Sequence, residues 1–122
     1  MADITIYHNP KCSTSRAALE VLEASGQEFE VIRYLTTPPD RADLERLLTM
    51  LEDDPADLVR RDPYFKDTLL AGGFDPDTLS DPSVVIDVLL EHPRLLQRPV
   101  VVKGDTAIIG RPKDRVPALL NG

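Results

Sequence analysis

The chain has 122 residues, 42% of them hydrophobic and 29% charged, a formal net charge of −7 and one cysteine. That length fits one ordinary domain with one core and is too short for two; the acidic balance argues against non-specific binding to nucleic acid or anionic membranes; and a lone cysteine excludes an internal disulfide. Apolar runs such as residues 84–90, interrupted by Asp87, fall far short of the ~20 residues of a membrane span, and the N-terminal stretch lacks the basic and apolar regions of a secretory signal, so the protein is expected to stay in the cytoplasm.

Residues 3–7 alternate, with Ile4 and Ile6 on one side and Thr5 and Tyr7 on the other, which predicts a first strand. Residues 13–25 place Ala18, Val21 and Leu22 at helical spacing and end at Gly26, a residue suited to a helix C-terminus. The β-rich run at 29–34 follows directly, so the chain opens with a βαβ unit whose strands should be parallel. The turn Thr37-Pro38-Pro39-Asp40 then starts a helix carrying Leu44, Leu47, Leu48 and Leu51 at i, i+3, i+4 and i+7. Asp54-Pro55 opens a short helix through Leu58 and Val59, and Ser80-Asp81-Pro82 opens another bearing Val85, Val88 and Leu89 before Pro93 stops it. Residues 62–77 between them are rich in turn formers and carry no clear period. Residues 98–103 read as a buried strand, Gly104-Asp105 as a two-residue turn and residues 106–109 as the hairpin partner. Arg111-Pro112 starts a last helix with Val116, Leu119 and Leu120. The order βαβ, helical insertion at about 40–92, then ββα predicts an α/β fold with a mixed four-stranded sheet of the thioredoxin-like kind.

Cys12 falls where the first strand has ended and the first helix begins, so its sulfur faces unpaired N–H groups at the positive end of a helix dipole. His8, Lys11 and Arg16 are expected to add positive potential, and Ser13, Thr14 and Ser15 to supply hydroxyl donors and capping oxygens. Lowering a thiol from roughly 8.5 to roughly 6.5 converts a few per cent of thiolate at pH 7 into a majority, without a separate base. The same helix start is suited to an oxyanion. A tetrahedral anion needs further charge, for which forked guanidinium groups are matched; Arg60, Arg61, Arg98 and Arg111 are the candidates, the last two each preceding a proline at an end of the predicted hairpin. His92, beside Pro93, reads as a helix-end or surface residue.

The run ITIYHNPKCSTSR at 4–16, then LLQRPVVV at 95–102, then IGRP at 109–112, resembles the glutaredoxin-coupled arsenate reductase family of ArsC type, in the short branch of that family, over nearly the whole chain. The resemblance implies that Cys12 is the nucleophile toward arsenate, with His8 and Ser15 supporting its thiolate. It further implies that Arg98 and Arg111 hold the oxyanion, with Arg60, in Leu58-Val59-Arg60, favoured over Arg61 as the third arginine. Pro99 matches the proline that thioredoxin-like folds hold in cis opposite the reactive cysteine. No bound cofactor or metal is implied; glutathione enters as co-substrate and glutaredoxin as protein partner. Two alternatives stay open at this point. One is a non-catalytic regulator of Spx type that binds RNA polymerase, although its frequent Cys-x-x-Cys switch would need a cysteine where Ser15 stands. The other is a glutathione-dependent thiol oxidoreductase acting on another small substrate.

Overall fold

The computed structural model describes residues 3–111 and 114–121. Its sheet has the order β2-β1-β3-β4, with β1 Ile4–His8, β2 Phe29–Arg33, β3 Val100–Lys103 and β4 Thr106–Ile109. β1 and β2 run parallel, whereas β3 lies antiparallel to both β1 and β4, so the expected mixed four-stranded sheet is present.

Strand alternation divides the side chains between two apolar clusters. Ile4, Ile6, Val101 and Ile108 face α1 (Ser13–Ala24) and α4 (Arg115–Asn121), where they meet Ala18, Leu22, Val116 and Leu120. Tyr7, Val100, Ala107 and Ile109 face the opposite way, toward α2 (Arg41–Met50), α3 (Pro82–Glu91) and the short turns between them. Each helix start has a local cause. Asp40 and Asp43 form a reciprocal capping box on α2, and Asp81 accepts from the Ser83 N–H with Pro82 in the first turn of α3. Full burial of a leucine such as Leu22 or Leu89 contributes about 1.5–3 kcal/mol, which is why these faces define the fold.

Several boundaries differ from the sequence expectation, the first two because pairing overrides pattern. Leu51 leaves α2 in extended conformation and bridges Ala107, and Val59 pairs with Leu96 instead of prolonging the short 3-10 turn Pro55–Leu58. The turn-rich stretch holds a π-helical turn, Phe65–Leu70, and a 3-10 turn, Pro76–Ser80, whose Phe65, Leu69 and Leu79 are buried. β3 begins at Val100, after a cis Arg98–Pro99 bond. α4 begins at Arg115 and not at Arg111; Pro112, named as part of that start, lies outside the described residues. The hairpin turn has Gly104 at φ +59, a left-handed value that glycine adopts without a Cβ penalty.

Candidate active site

The sheet register gathers four chain segments at one edge. Ile32, Tyr7, Val100 and Ile109 form one transverse row. Two residues farther along stand Tyr34, Asn9, Arg98 and Arg111, followed on the β1 side by Cys12. The adjacency persists past the strands, since the Gly110 N–H donates to the Pro99 carbonyl at 2.8 Å. A Cβ on Gly110 would sit 2.8 Å from Pro99 Cγ and 3.1 Å from Val116 Cγ2, so only glycine lets this backbone approach so closely.

Asn9 builds the loop that presents the sulfur. Its carbonyl accepts from the Cys12 N–H and its side-chain oxygen from the Lys11 N–H, both at 3.0 Å, while its own N–H donates to Ser15 Oγ at 3.0 Å. Cys12 thereby becomes the N-cap residue of α1, in extended conformation. Its sulfur makes no conventional capping hydrogen bond, yet it lies in the field of the first-turn N–H groups. Arg111 Nη2 donates to Sγ at 3.3 Å, and Arg111 Nε donates to the Arg98 carbonyl at 2.6 Å. Burial pushes the Cys12 thiol up. The Ser15 N–H, the Arg98 guanidinium, the Thr14 N–H and the Arg111 charge outweigh it and hold the thiol below its ordinary value.

The structure therefore brings Cys12, Ser15, Arg98 and Arg111 together. His8 has a different part from the cationic one expected of it. It is 4% exposed, and burial, with Arg33 and Arg16 nearby, lowers its pKa against the opposing influence of Ser15, so it favours the neutral ring. Nδ1 lies 2.6 Å from Ser15 Oγ, and that hydroxyl is used on His8 and Asn9 instead of on the sulfur. His8 thus acts by fixing the start of α1. Lys11 is exposed, and Arg16 donates to the Pro10 carbonyl at 3.0 Å.

Arg60 is half-buried whereas Arg61 is exposed. Arg60 Nε is 3.4 Å from Asp62 Oδ2, within ion-pair reach but out of line for a hydrogen bond. Its N–H donates to the Leu95 carbonyl, which ties it to the chain leading into Arg98. Among the described residues, no hydrogen bond or ion pair joins Arg60 to Cys12, Arg98 or Arg111. His92 caps α3, and its Nδ1 lies 2.9 Å from Tyr64 Oη, so it is packed against the insertion instead of lying free on the surface.

Two site residues escaped the sequence reading. Asn9 carried a signal, because an asparagine before proline in a strand-to-helix loop commonly bonds nearby backbone. Tyr34 carried only its place at the end of a second parallel strand. It is fully buried beside Arg98, and its hydroxyl and Arg98 Nε lack aligned hydrogen-bond partners among the described residues.

Comparison with known proteins gives this edge its context. The chain matches the ArsC family over residues 7–119. It is 38% identical over 122 residues to an arsenate reductase of Neisseria meningitidis serogroup A, covering 98% of this chain and 100% of that protein. It is 39% identical over 122 residues to an arsenate reductase of Escherichia coli K12, covering 98% of this chain and 82% of that one. The solved structure of an arsenate reductase from Vibrio cholerae superposes with a TM-score of 0.76 at 36% identity, covering 94% of this chain and 95% of that chain. With a thioredoxin-like fold, three sequence motifs meeting at one sheet edge and likeness over nearly its full length, the chain belongs to the ArsC family.

Proposed function

We propose that this protein reduces arsenate to arsenite, with Cys12 as nucleophile and glutathione and glutaredoxin as the outside thiols. The observation that carries the reading is the sulfur itself, set at the start of α1 with Arg111 Nη2 3.3 Å away and Arg98 beside it. A depressed thiol is a nucleophile without a base, and the two guanidinium groups supply forked donors for the oxygens of a tetrahedral anion. The activity named for the Neisseria, Escherichia and Vibrio relatives supports arsenate as that anion.

In the proposed sequence the Cys12 thiolate forms an S–As bond to arsenate, and one arsenic-bound oxygen leaves as water after protonation. Glutathione thiolate forms a second S–As bond with loss of another water. A glutaredoxin thiolate then attacks the glutathione sulfur, forming a mixed disulfide; the electron pair of the broken S–As bond stays on arsenic, which passes from As(V) to As(III). Hydrolysis of the remaining S–As bond releases arsenite and restores Cys12. With one cysteine in the chain, Cys12 has no internal partner to resolve it, which requires the outside thiols.

The test is arsenate-dependent NADPH oxidation with glutathione, glutaredoxin and glutathione reductase, omitting one component at a time. Turnover that needs arsenate, glutathione and glutaredoxin supports the scheme. Full turnover without any monothiol rejects external resolution, and no turnover with the complete set rejects arsenate as substrate.

A further inference from the structure

Arg111 emerges from the end of β4, and Ile109, the last residue of that strand, turns its backbone N–H and carbonyl toward the outer edge of the sheet. Residues 51–53 cover this edge. Leu51 bridges Ala107 in parallel, and the Glu52 N–H donates to the Ala107 carbonyl at 3.0 Å. Asp53 comes next. Its Oδ2 accepts from the Ile109 N–H at 3.1 Å, while its Oδ1 accepts from Arg115 Nη1 at 2.8 Å. The same Nη1 donates to the Ile109 carbonyl at 2.8 Å, so carboxylate and guanidinium together hold both outward backbone groups of one residue.

Both side chains are largely withdrawn from water, at 17% exposure for Asp53 and 29% for Arg115. Taking charges out of water is costly, and solvent alone could satisfy an exposed strand edge. What the pair adds is direction. On the inner side the Gly110 N–H is bound to the Pro99 carbonyl, so the chain is held from two sides just before Arg111 reaches the Arg98 carbonyl and the Cys12 sulfur.

We infer that Asp53 and Arg115 form a positioning clasp that fixes the end of β4, so that Arg111 is delivered to the nucleophilic sulfur and to an anion bound there. The inference rests on the reading of Cys12 as nucleophile but requires no particular substrate. Neither clasp residue touches the sulfur; both act through Arg111.

The experiment compares wild type with Asp53→Ala, Asp53→Asn, Arg115→Gln and the Asp53→Ala/Arg115→Gln double variant. Asp87→Ala, which breaks the exposed pair with Arg41, is the control. The first measurement is the pH dependence of Cys12 alkylation by iodoacetamide, made without substrate. Asp53→Ala and Arg115→Gln are expected to move the thiol titration upward, because the Arg111 charge is no longer held at the sulfur. Asp53→Asn keeps an acceptor for the Ile109 N–H and should move it less. The double variant should move it no farther than the worse single one, since the two residues act as one device. The second measurement is arsenate kinetics, where kcat/KM should fall about tenfold, mainly through KM. Unchanged alkylation profiles in folded Asp53→Ala and Arg115→Gln overturn the clasp, as do additive shifts in the double variant. Should Asp53→Ala fail to fold, Asp53→Asn and Arg115→Gln decide by the same profile. Shifted thiol titrations in a protein that leaves arsenate untouched would sustain the clasp and reject the substrate.

Discussion

The helical insertion and the edge that carries Cys12 are ordered by different means. In the insertion, Leu44, Leu47, Leu58, Leu79, Leu89 and Phe65 are buried against one another and against one face of the sheet, so shape and apolar area hold the region together. At the reactive edge, residues 8–16, 97–99 and 109–111 are joined by hydrogen bonds that each fix a direction: His8 to Ser15, Asn9 to three partners, Arg111 to the Arg98 carbonyl and to the sulfur. Packing tolerates many side chains of similar volume, whereas an aimed donor tolerates few. The comparison teaches that stability and reactivity are separable in this chain, and substitutions can probe each alone.

The sharpest separation is at Cys12 itself. Cys12→Ser should remove turnover altogether while leaving the melting temperature near that of wild type, since serine is close in size but a far weaker nucleophile at neutral pH. Residual activity in the serine variant would break the assignment of chemistry to this edge. The converse is Leu89→Ala, in the other region. It should cost about 2–5 kcal/mol of unfolding free energy in a denaturant titration, yet leave the Cys12 alkylation profile of the folded protein unchanged. A shifted profile would show that the insertion helps tune the sulfur.

A smaller loss is expected for the anion-holding arginines. Arg98→Ala or Arg111→Ala should cost about 1.5–3 kcal/mol of transition-state stabilisation, read as a ~10- to 150-fold fall in kcat/KM for arsenate, with lysine restoring only part. Equal kcat/KM in wild type and both alanine variants would remove the guanidinium pair from the chemistry.

The smallest effects are those of pH on stability. Cys12 has a depressed pKa in the folded state, so its thiolate contributes stability that is present above the ordinary thiol value and is lost as pH falls through the folded one. The stability difference between wild type and Cys12→Ser should therefore widen as pH rises across that window. His8 is also depressed, so acidification through the ordinary imidazole range, near 6.5, should destabilise the protein, and His8→Asn should flatten that dependence. Chemical denaturation at a series of pH values measures both slopes, and a slope of opposite sign at either residue would reverse the assigned charge state.

Much of this architecture was readable from residue patterns because the signals are local. Alternation in residues 3–7, the leucine spacing from Leu44 to Leu48 and the glycine-led hairpin turn act within a few residues, and each became the expected element. The position of Cys12 at a helix start was legible for the same reason. What escaped depends on contacts between distant parts of the chain. The lowered pKa of His8 follows first from its burial and then from Arg33 on the neighbouring strand, with Arg16 adding to them, and the burial and the Arg33 contact are not announced by residues 8–16. The grip of Asp53 on Ile109 spans residues that have no common period. Leu51 fits a helical pattern by spacing, but it leaves α2 in extended conformation and bridges Ala107 at the sheet's edge.

The covering of β4 also bears on how copies of this protein meet one another. A strand whose outward N–H and carbonyl groups are free is a template on which another chain can add a strand, and unguarded edges are common starting points for aggregation. At β4 the Ala107 carbonyl and both outward groups of Ile109 are occupied by Glu52, Asp53 and Arg115 of the same molecule. Sheet extension is thereby directed to β2, a five-residue strand on which Val31 is 40% exposed, flanked by the charged side chains of Glu30 and Arg33. Short length and charge discourage pairing there, while at β4 the discouragement is the chain's own carboxylate and guanidinium, so the residues that aim Arg111 also close one side of the sheet to polymerisation.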